Sequence, residues 1–175
     1  GQAGSLPRPQ DKSALRIEVR KVRFSPNDIP DNREKRLSSL SAQLFLPAGT
    51  RKDLSAVIIV PSSGGVRTER EIYYARELAA VGIAALVIDS YGSRGLRNSI
   101  RDQSGLGSWE MSNDAVAGFR WLVAQYGDRT LISRSAQATS TASPNFDGNR
   151  IAVLGVSKGG TAAIHAAIEV RRGWM

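Results

Sequence analysis

Three short apolar runs limit the folds that this 175-residue chain can form. Residues 56–60 and 83–88 are apolar throughout, as strands of a parallel sheet are when both faces are covered, and residues 151–154 predict the next buried strand. Segments with helical periodicity, at 69–81 and 109–126, lie between them. The alternation of strands and helices predicts an α/β fold with an open, doubly wound and mostly parallel sheet.

Two earlier segments have the alternating pattern of half-exposed strands. Residues 13–24 and 40–46 place apolar side chains at every second position, and a loop rich in proline, asparagine and aspartate separates them. This arrangement predicts an antiparallel pair at the N-terminal edge of the sheet. Arg20 and Lys21 shift the alternation of the first segment by one position, which predicts a β-bulge there.

The ends of the chain and one internal stretch differ from this pattern. Residues 1–12 contain Pro7 and Pro9 among small and polar residues and predict a flexible tail, followed by one partial domain over 13–175. The low-complexity stretch within 127–149 predicts a surface insertion. Because the sequence begins at Gly1, we expect a removed segment and a secreted or periplasmic protein, with a cytoplasmic protein as the alternative.

Composition excludes several classes of function. The net charge of +8 comes from basic residues scattered among acidic ones, without an aromatic-lined basic stripe, so we expect no nucleic-acid partner. No run reaches the about 18 apolar residues of a membrane span, so we expect no membrane partner. The chain has no cysteine, which excludes disulfides and thiolate metal sites, and no motif indicates a metal or cofactor.

The sequence motif with the clearest chemical meaning follows the third apolar run. Gly155, Ser157 and Gly159 form a G-x-S-x-G pattern between a predicted strand and a helix predicted over 161–170. In this context the serine sits at a strained backbone angle with its hydroxyl exposed. A Walker loop does not fit, because Lys158 precedes the glycines, and Ser157 replaces the second glycine of a dinucleotide fingerprint. The pattern favours Ser157 as a catalytic nucleophile over a glycine-rich turn with a serine cap.

Four segments in the same order resemble the dienelactone hydrolase family: VIIVPSSGG (57–65), YARELAAVGIAALVIDSYG (74–92), DGNRIAVLG (147–155) and the motif around Ser157. The resemblance implies an α/β-hydrolase fold that is incomplete at its C-terminus. It also implies cofactor-free cleavage of carboxylic esters or related acyl bonds in a small-molecule substrate. The founding members have cysteine in place of Ser157, so lactone specificity is not implied.

The resemblance also assigns an oxyanion hole. It implies two backbone N–H groups, that of Lys158 and that of either Ser62 or Ser63 in the loop after the first apolar run.

The loop after the second apolar run contains further candidates. The resemblance implies that Asp89 shapes this loop and is not the acid of a catalytic triad. Tyr91 and Arg94 are predicted to bind substrate, with solvent-exposed loop residues as the alternative.

The base that would activate the serine is missing. His165 is the sole histidine, and in a helix it would lie about 12 Å from Ser157 along the axis. By the usual chain order, the acid and the histidine would follow Met175. We therefore expect the protein's own C-terminal segment or a second chain to complete the fold, and an open sheet edge at 151–154 without it.

Two other functions remain open from the sequence. A peptidase of the prolyl oligopeptidase type uses a similar serine motif. A non-catalytic pseudo-hydrolase, acting as a binding module, would explain the absence of a usable histidine.

Overall fold

The computed structural model describes residues 17–26, 37–49, 53–126 and 146–172. These residues form a five-stranded sheet with helices on both faces. The predicted tail over 1–12, and residues 127–145 of the predicted insertion, lie outside the described residues.

The sheet combines an antiparallel edge with a parallel centre. Its strands are β1 (Glu18–Phe24), β2 (Leu40–Leu46), β3 (Leu54–Val60), β4 (Ala84–Asp89) and β5 (Phe146–Gly155), in the spatial order β1-β2-β4-β3-β5. β2 runs antiparallel to both β1 and β4, whereas β3 runs parallel to both β4 and β5. The predicted mostly parallel sheet and its antiparallel N-terminal edge are both confirmed.

The bulge predicted in β1 is wrong. β1 and β2 pair residue for residue along their full length, through Arg20 and Lys21. β1 is an edge strand, and Val19 on it remains 41% exposed. Because neither face of this strand is fully buried, a one-position shift in its apolar pattern requires no change of backbone register.

Three helices connect or follow the strands: α1 (Tyr73–Ala80), α2 (Ser108–Tyr126) and α3 (Lys158–Arg172). A π-helical turn, Thr68–Ile72, leads into α1, and Gly82 follows the helix with a φ of 91°. α3 begins three residues earlier than predicted, directly after the serine motif. No helix in the described ranges has both the length and the apolar character needed to cross a membrane.

Successive residues of β3 and β4 enter two different apolar cores. Ile58 and Leu86 belong to the core beneath α2 and α3, and Ile59 and Val87 to the core beneath α1. All four side chains are at most 1% exposed. Helices on both faces therefore explain why these strands are apolar throughout.

β5 differs from the other parallel strands. Within the described part of the chain it pairs only with β3, and Ala152 on it is exposed while Ile151 and Val153 are half-buried. The strand predicted at 151–154 is therefore present but not buried, because the described chain places a neighbouring strand on one side of it only. The open edge expected at this strand is present among the described residues.

Candidate active site

The turn after β5 holds Ser157 in an unusual backbone conformation. Ser157 has a φ of 56°, in the left-handed region that non-glycine residues seldom occupy, and it is exposed. The Ser157 carbonyl accepts hydrogen bonds from the N–H groups of Gly160 at 2.8 Å and Thr161 at 3.4 Å. Ser157 is thus the last residue of the turn and directly precedes α3, with its side chain at the surface.

Two glycines make this turn possible by close backbone packing. A Cβ on Gly155 would lie 2.0 Å from the carbonyl oxygen of Gly159, and a Cβ on Gly159 would lie 2.5 Å from that of Pro61. Real Cβ contacts are longer than this, so only glycine fits at either position. The motif therefore brings the start of α3 against both its own strand and the end of β3.

The N-terminus of α3 provides a favourable electrostatic environment beside Ser157. Lys158 is the first residue of the helix, so its backbone N–H has no carbonyl partner within the helix. The aligned peptide dipoles concentrate partial positive charge at this end. An oxygen atom that develops negative charge near Ser157 would be stabilised here.

The loop after β3 has nearly all of its backbone N–H groups occupied. Gly64 donates to the Ser62 hydroxyl at 3.2 Å, Gly65 donates to the Ser62 carbonyl at 3.0 Å, and Ser62 donates to the Glu71 carboxylate at 3.4 Å. The Ser63 N–H donates to none of the described residues. Of the four amides from Ser62 to Gly65, the Ser63 amide is therefore the one available to a ligand.

Strand register brings this loop and the serine turn to the same end of the sheet. Val60 pairs with Gly155 at the last position of the parallel β3 and β5. Because parallel strands point the same way, the residues that follow each strand emerge side by side. The structure therefore brings the Ser62–Ser63 loop and the Ser157–Lys158 turn to the same end of the sheet.

Tyr91 and Arg94, predicted to bind substrate, are both engaged within the protein. Tyr91 is 1% exposed, and its hydroxyl lies 2.8 Å from the Ser99 Oγ. Arg94 forms two hydrogen bonds to the Asp114 carboxylate, at 2.8 and 2.9 Å, and its side chain is 9% exposed. The alternative that they are solvent-exposed is therefore wrong. A contact of either residue with substrate stays a prediction.

Asp89 has the turn-shaping role that the sequence predicted. Its carboxylate accepts a hydrogen bond from the Gly92 N–H at 2.8 Å, and its carbonyl accepts one from the Ser93 hydroxyl at 2.6 Å. These bonds close the turn that carries Tyr91. A cavity of about 480 Å³ also borders Asp89, but it lies over β1, β2 and β4, and its lining contains none of the predicted nucleophile or oxyanion residues.

Ser99, which no sequence motif indicated, links three parts of the site. Its N–H donates to the Ser63 carbonyl at 2.8 Å, and its hydroxyl lies 3.4 Å from the Lys158 Nζ. Lys158 also donates to the Gln103 carbonyl at 2.6 Å. Nothing in the local pattern around Ser99 distinguishes it from other loop serines, because its partners come from distant positions.

The Lys158 ammonium lies beside a charged carboxylate. The hydroxyl and backbone N–H of Ser104 donate hydrogen bonds to Asp102 and lower the pKa of its carboxyl group, and Lys158 lowers it further. Asp102 is therefore ionised at neutral pH. These contacts hold the loop after β4 against the first turn of α3.

His165 is half-buried between α3 and α2. It lies on α3 two turns beyond Ser157, and its ring meets the Trp109 ring edge-on at a centroid distance of 6.3 Å. Its Nδ1 is buried and has no hydrogen-bond partner among the described residues. Across the same described ranges, no three histidine or acidic side chains form a group able to hold a metal ion.

Comparison with known proteins places this geometry in a structural class. No family model and no curated protein matches the chain. Its structure is similar to a thermostable esterase from Pseudomonas putida, with a TM-score of 0.55 and 19% identity over 95% of this chain and 42% of that one.

The chain is similar in structure to two other solved proteins. A brefeldin A esterase, described as a bacterial homologue of human hormone-sensitive lipase, gives a TM-score of 0.55 and 20% identity over 99% of this chain and 40% of that one. A dienelactone hydrolase-like promiscuous phosphotriesterase from metagenomic libraries gives 0.52 and 19% identity over 86% of this chain and 54% of that one. The chain thus spans about half or less of the length of these proteins. At such identities the likeness establishes the fold, and the described part of the chain has the α/β-hydrolase fold of esterases and dienelactone hydrolase-like enzymes.

Proposed function

We propose that this chain carries the nucleophile and the oxyanion hole of a serine hydrolase that cleaves carboxylic esters. The observation that carries the proposal is the exposed Ser157, held at a φ of 56° between β5 and the N-terminus of α3. This strand–turn–helix context is the one that gives a G-x-S-x-G motif its catalytic meaning. The likeness to solved esterases supports the same class of chemistry.

In the proposed reaction, the Ser157 hydroxyl attacks the carbonyl carbon of an ester while a histidine accepts the hydroxyl proton. The alcohol leaves with that proton, and an acyl-enzyme remains on the serine oxygen. A water molecule then attacks the acyl carbon and gives a proton to the histidine, which returns it to the Ser157 oxygen as the acid is released. The histidine and its carboxylate partner come from polypeptide outside this segment, because His165 faces Trp109 two turns away.

The oxyanion of both tetrahedral intermediates accepts hydrogen bonds from the backbone N–H groups of Lys158 and Ser63. Ser63 is favoured over Ser62, because the Ser62 amide already donates to Glu71 whereas the Ser63 amide has no described partner. The Ser62 carbonyl, in the same peptide unit as the Ser63 N–H, accepts a hydrogen bond from Gly65. That bond polarises the peptide unit and makes the Ser63 N–H a stronger donor.

The fold would be completed by the protein's own C-terminal segment or by a second chain. β5 offers an unpaired edge within the described chain, and α3 exposes Ile164 (64%) and Ile168 (45%). An open edge beside exposed apolar residues is a surface that proteins normally cover. The solved structures of this fold are about twice as long as the chain, which supports the same proposal.

The proposal is tested by treating the intact protein with a fluorophosphonate probe and mapping the label by mass spectrometry. We expect the label on Ser157 and its complete loss in Ser157→Ala. Thr161→Ala is the matched control, because this exposed side chain lies one turn further along α3. Label that persists in Ser157→Ala, or no label in the folded intact protein, would contradict the proposal and favour a non-catalytic binding module.

Paired substrates separate the ester hydrolase from a peptidase. We expect p-nitrophenyl esters to be cleaved with a kcat/KM at least about 100-fold above that of matched p-nitroanilides. Faster cleavage of the anilide would favour the peptidase of the prolyl oligopeptidase type. Ser157→Ala should abolish either activity.

A further inference from the structure

Glu71 is a buried carboxylate close to the candidate site. Its side chain is 1% exposed, and it lies on the π-helical turn that leads into α1. Burying a carboxylate is costly unless charges and hydrogen bonds compensate it. The hydrogen bonds and the charge that surround Glu71 therefore decide how well it is tolerated there.

The partners of Glu71 all belong to the segment that follows β3. Oε1 accepts hydrogen bonds from the Arg70 Nε at 2.7 Å and from the Ser62 N–H at 3.4 Å, and Oε2 accepts one from the Arg67 N–H at 2.9 Å. Arg70 also donates from its Nη2 to the Gly65 carbonyl at 3.1 Å. One carboxylate therefore holds both ends of the loop from Ser62 to Arg67.

The orientation of the Ser63 amide follows from these contacts. Ser63 lies between Ser62, whose N–H is bound to Glu71, and Gly65, whose carbonyl is bound to Arg70. Ser62 is 5% exposed, so water cannot easily replace the carboxylate as its partner. Without the Glu71 carboxylate, the Ser62 end of the loop would lose this anchor, and the peptide units on either side of Ser63 would be held by the Gly65 N–H and the Ser99 N–H.

We propose that Glu71 is the positioning residue of the oxyanion hole: its carboxylate fixes the loop so that the Ser63 N–H faces the carbonyl oxygen of an ester attacked by Ser157. The inference rests on the proposed function. It adds a residue that lies outside the serine motif and touches no substrate.

Glu71→Gln tests the inference with little change of shape. Glutamine keeps one oxygen but replaces the other with an NH₂ donor, which then faces Ser62 and Arg70 or faces Arg67, all of which are donors. Glu77→Gln is the matched control, because Glu77 lies exposed on α1. Both variants are made in the intact protein, with Ser157→Ala defining the background rate.

We expect Glu71→Gln to lower kcat for a p-nitrophenyl ester by about 10- to 100-fold, with KM changed by less than about twofold, because an oxyanion hole acts in the transition state. Affinity for a trifluoromethyl ketone, which forms a tetrahedral adduct with the serine, should fall in parallel. Glu77→Gln should change neither. An unchanged kcat, or a rise in KM alone, would overturn the inference.

A second variant applies if Glu71→Gln does not fold at the assay temperature. Arg70→Lys keeps the charge beside the carboxylate but replaces the two guanidinium nitrogens that reach Glu71 and the Gly65 carbonyl with one ammonium nitrogen, and we expect a kcat about 3- to 10-fold lower at constant KM. Wild-type kcat in folded Arg70→Lys would then overturn the inference. Failure of the proposed function has a different signature, since the wild-type protein would show no activity above Ser157→Ala, and that result would overturn both.

Discussion

β3 and β5 are neighbouring parallel strands, and each ends in a turn of the candidate site. β3 is packed between helices on both faces, with Ile58 and Ile59 at most 1% exposed. β5 lies at the open edge of the described sheet, and Ala152 on it is exposed. The proposed nucleophile is therefore attached to the less supported of the two strands.

The two turns are stabilised in different ways. Hydrogen bonds to the Glu71 carboxylate and to Ser99 hold the loop after β3. Close backbone contacts at Gly155 and Gly159 shape the turn after β5. The first turn is determined by polar partners from two other segments, and the second by the absence of side chains. We therefore expect substitutions of polar side chains to disrupt the first turn, and substitutions of glycine to disrupt the second.

The largest expected effect concerns the two strands. Ile58→Ala should lower the free energy of unfolding by about 4 kcal/mol, because it leaves a cavity in a closed core. Ile151→Ala, on the half-buried β5, should cost about 1 kcal/mol. Urea denaturation of both variants measures the difference, and equal losses would show that β5 is as well supported as β3.

The next effect concerns the turn after β5. Gly155→Ala should lower the free energy of unfolding by about 3 kcal/mol, because the new Cβ would overlap backbone atoms that no rotamer change can move. Gly105→Ala is the control, since the nearest atom to its new Cβ would be the Asp102 carbonyl oxygen, at an acceptable 3.4 Å. Thermal unfolding compares the two variants. A Gly155→Ala protein as stable as the control would contradict the close packing of the turn.

The smallest effect concerns backbone strain at the proposed nucleophile. Ser157→Gly should raise the free energy of unfolding by about 1 kcal/mol, because glycine adopts a φ of 56° without a steric penalty. Ser157→Ala keeps the Cβ and should give no such gain. Chemical denaturation of the pair decides the point, and equal stability of the two variants would show that the turn is not strained.

The parts of the structure that the sequence predicted best are those with strong periodic or glycine-based signals. The runs at 56–60 and 83–88 predicted buried parallel strands, since burial on both faces leaves no polar position. The bulge in β1 was predicted wrongly, because the apolar pattern of an edge strand does not fix its register. The sequence overestimated the burial of residues 151–154, because burial depends on neighbouring strands and β5 pairs only with β3 in the described chain.

The candidate site divides in the same way. Ser157 could be identified from the motif, because one local turn determines its position, and Lys158 from the family resemblance. Glu71 and Ser99 could not, because their roles depend on partners outside their own local sequence. Glu71 binds the N–H of Ser62, and Ser99 contacts Ser63 and Lys158. A buried glutamate in a helical segment has the same sequence pattern as an exposed one.

The sequence by itself therefore determined the α/β class, the order of its strands and helices along the chain, and the turn that carries Ser157. Local steric limits and apolar periodicity act over a few residues, so they are visible in the sequence. Only the tertiary structure decided that, among the described residues, Ser62 has a hydrogen-bond partner for its N–H and Ser63 has none, and that Tyr91 and Arg94 are engaged by protein partners. These outcomes depend on hydrogen bonds between distant segments, and such bonds exist only once the sheet has brought those segments together.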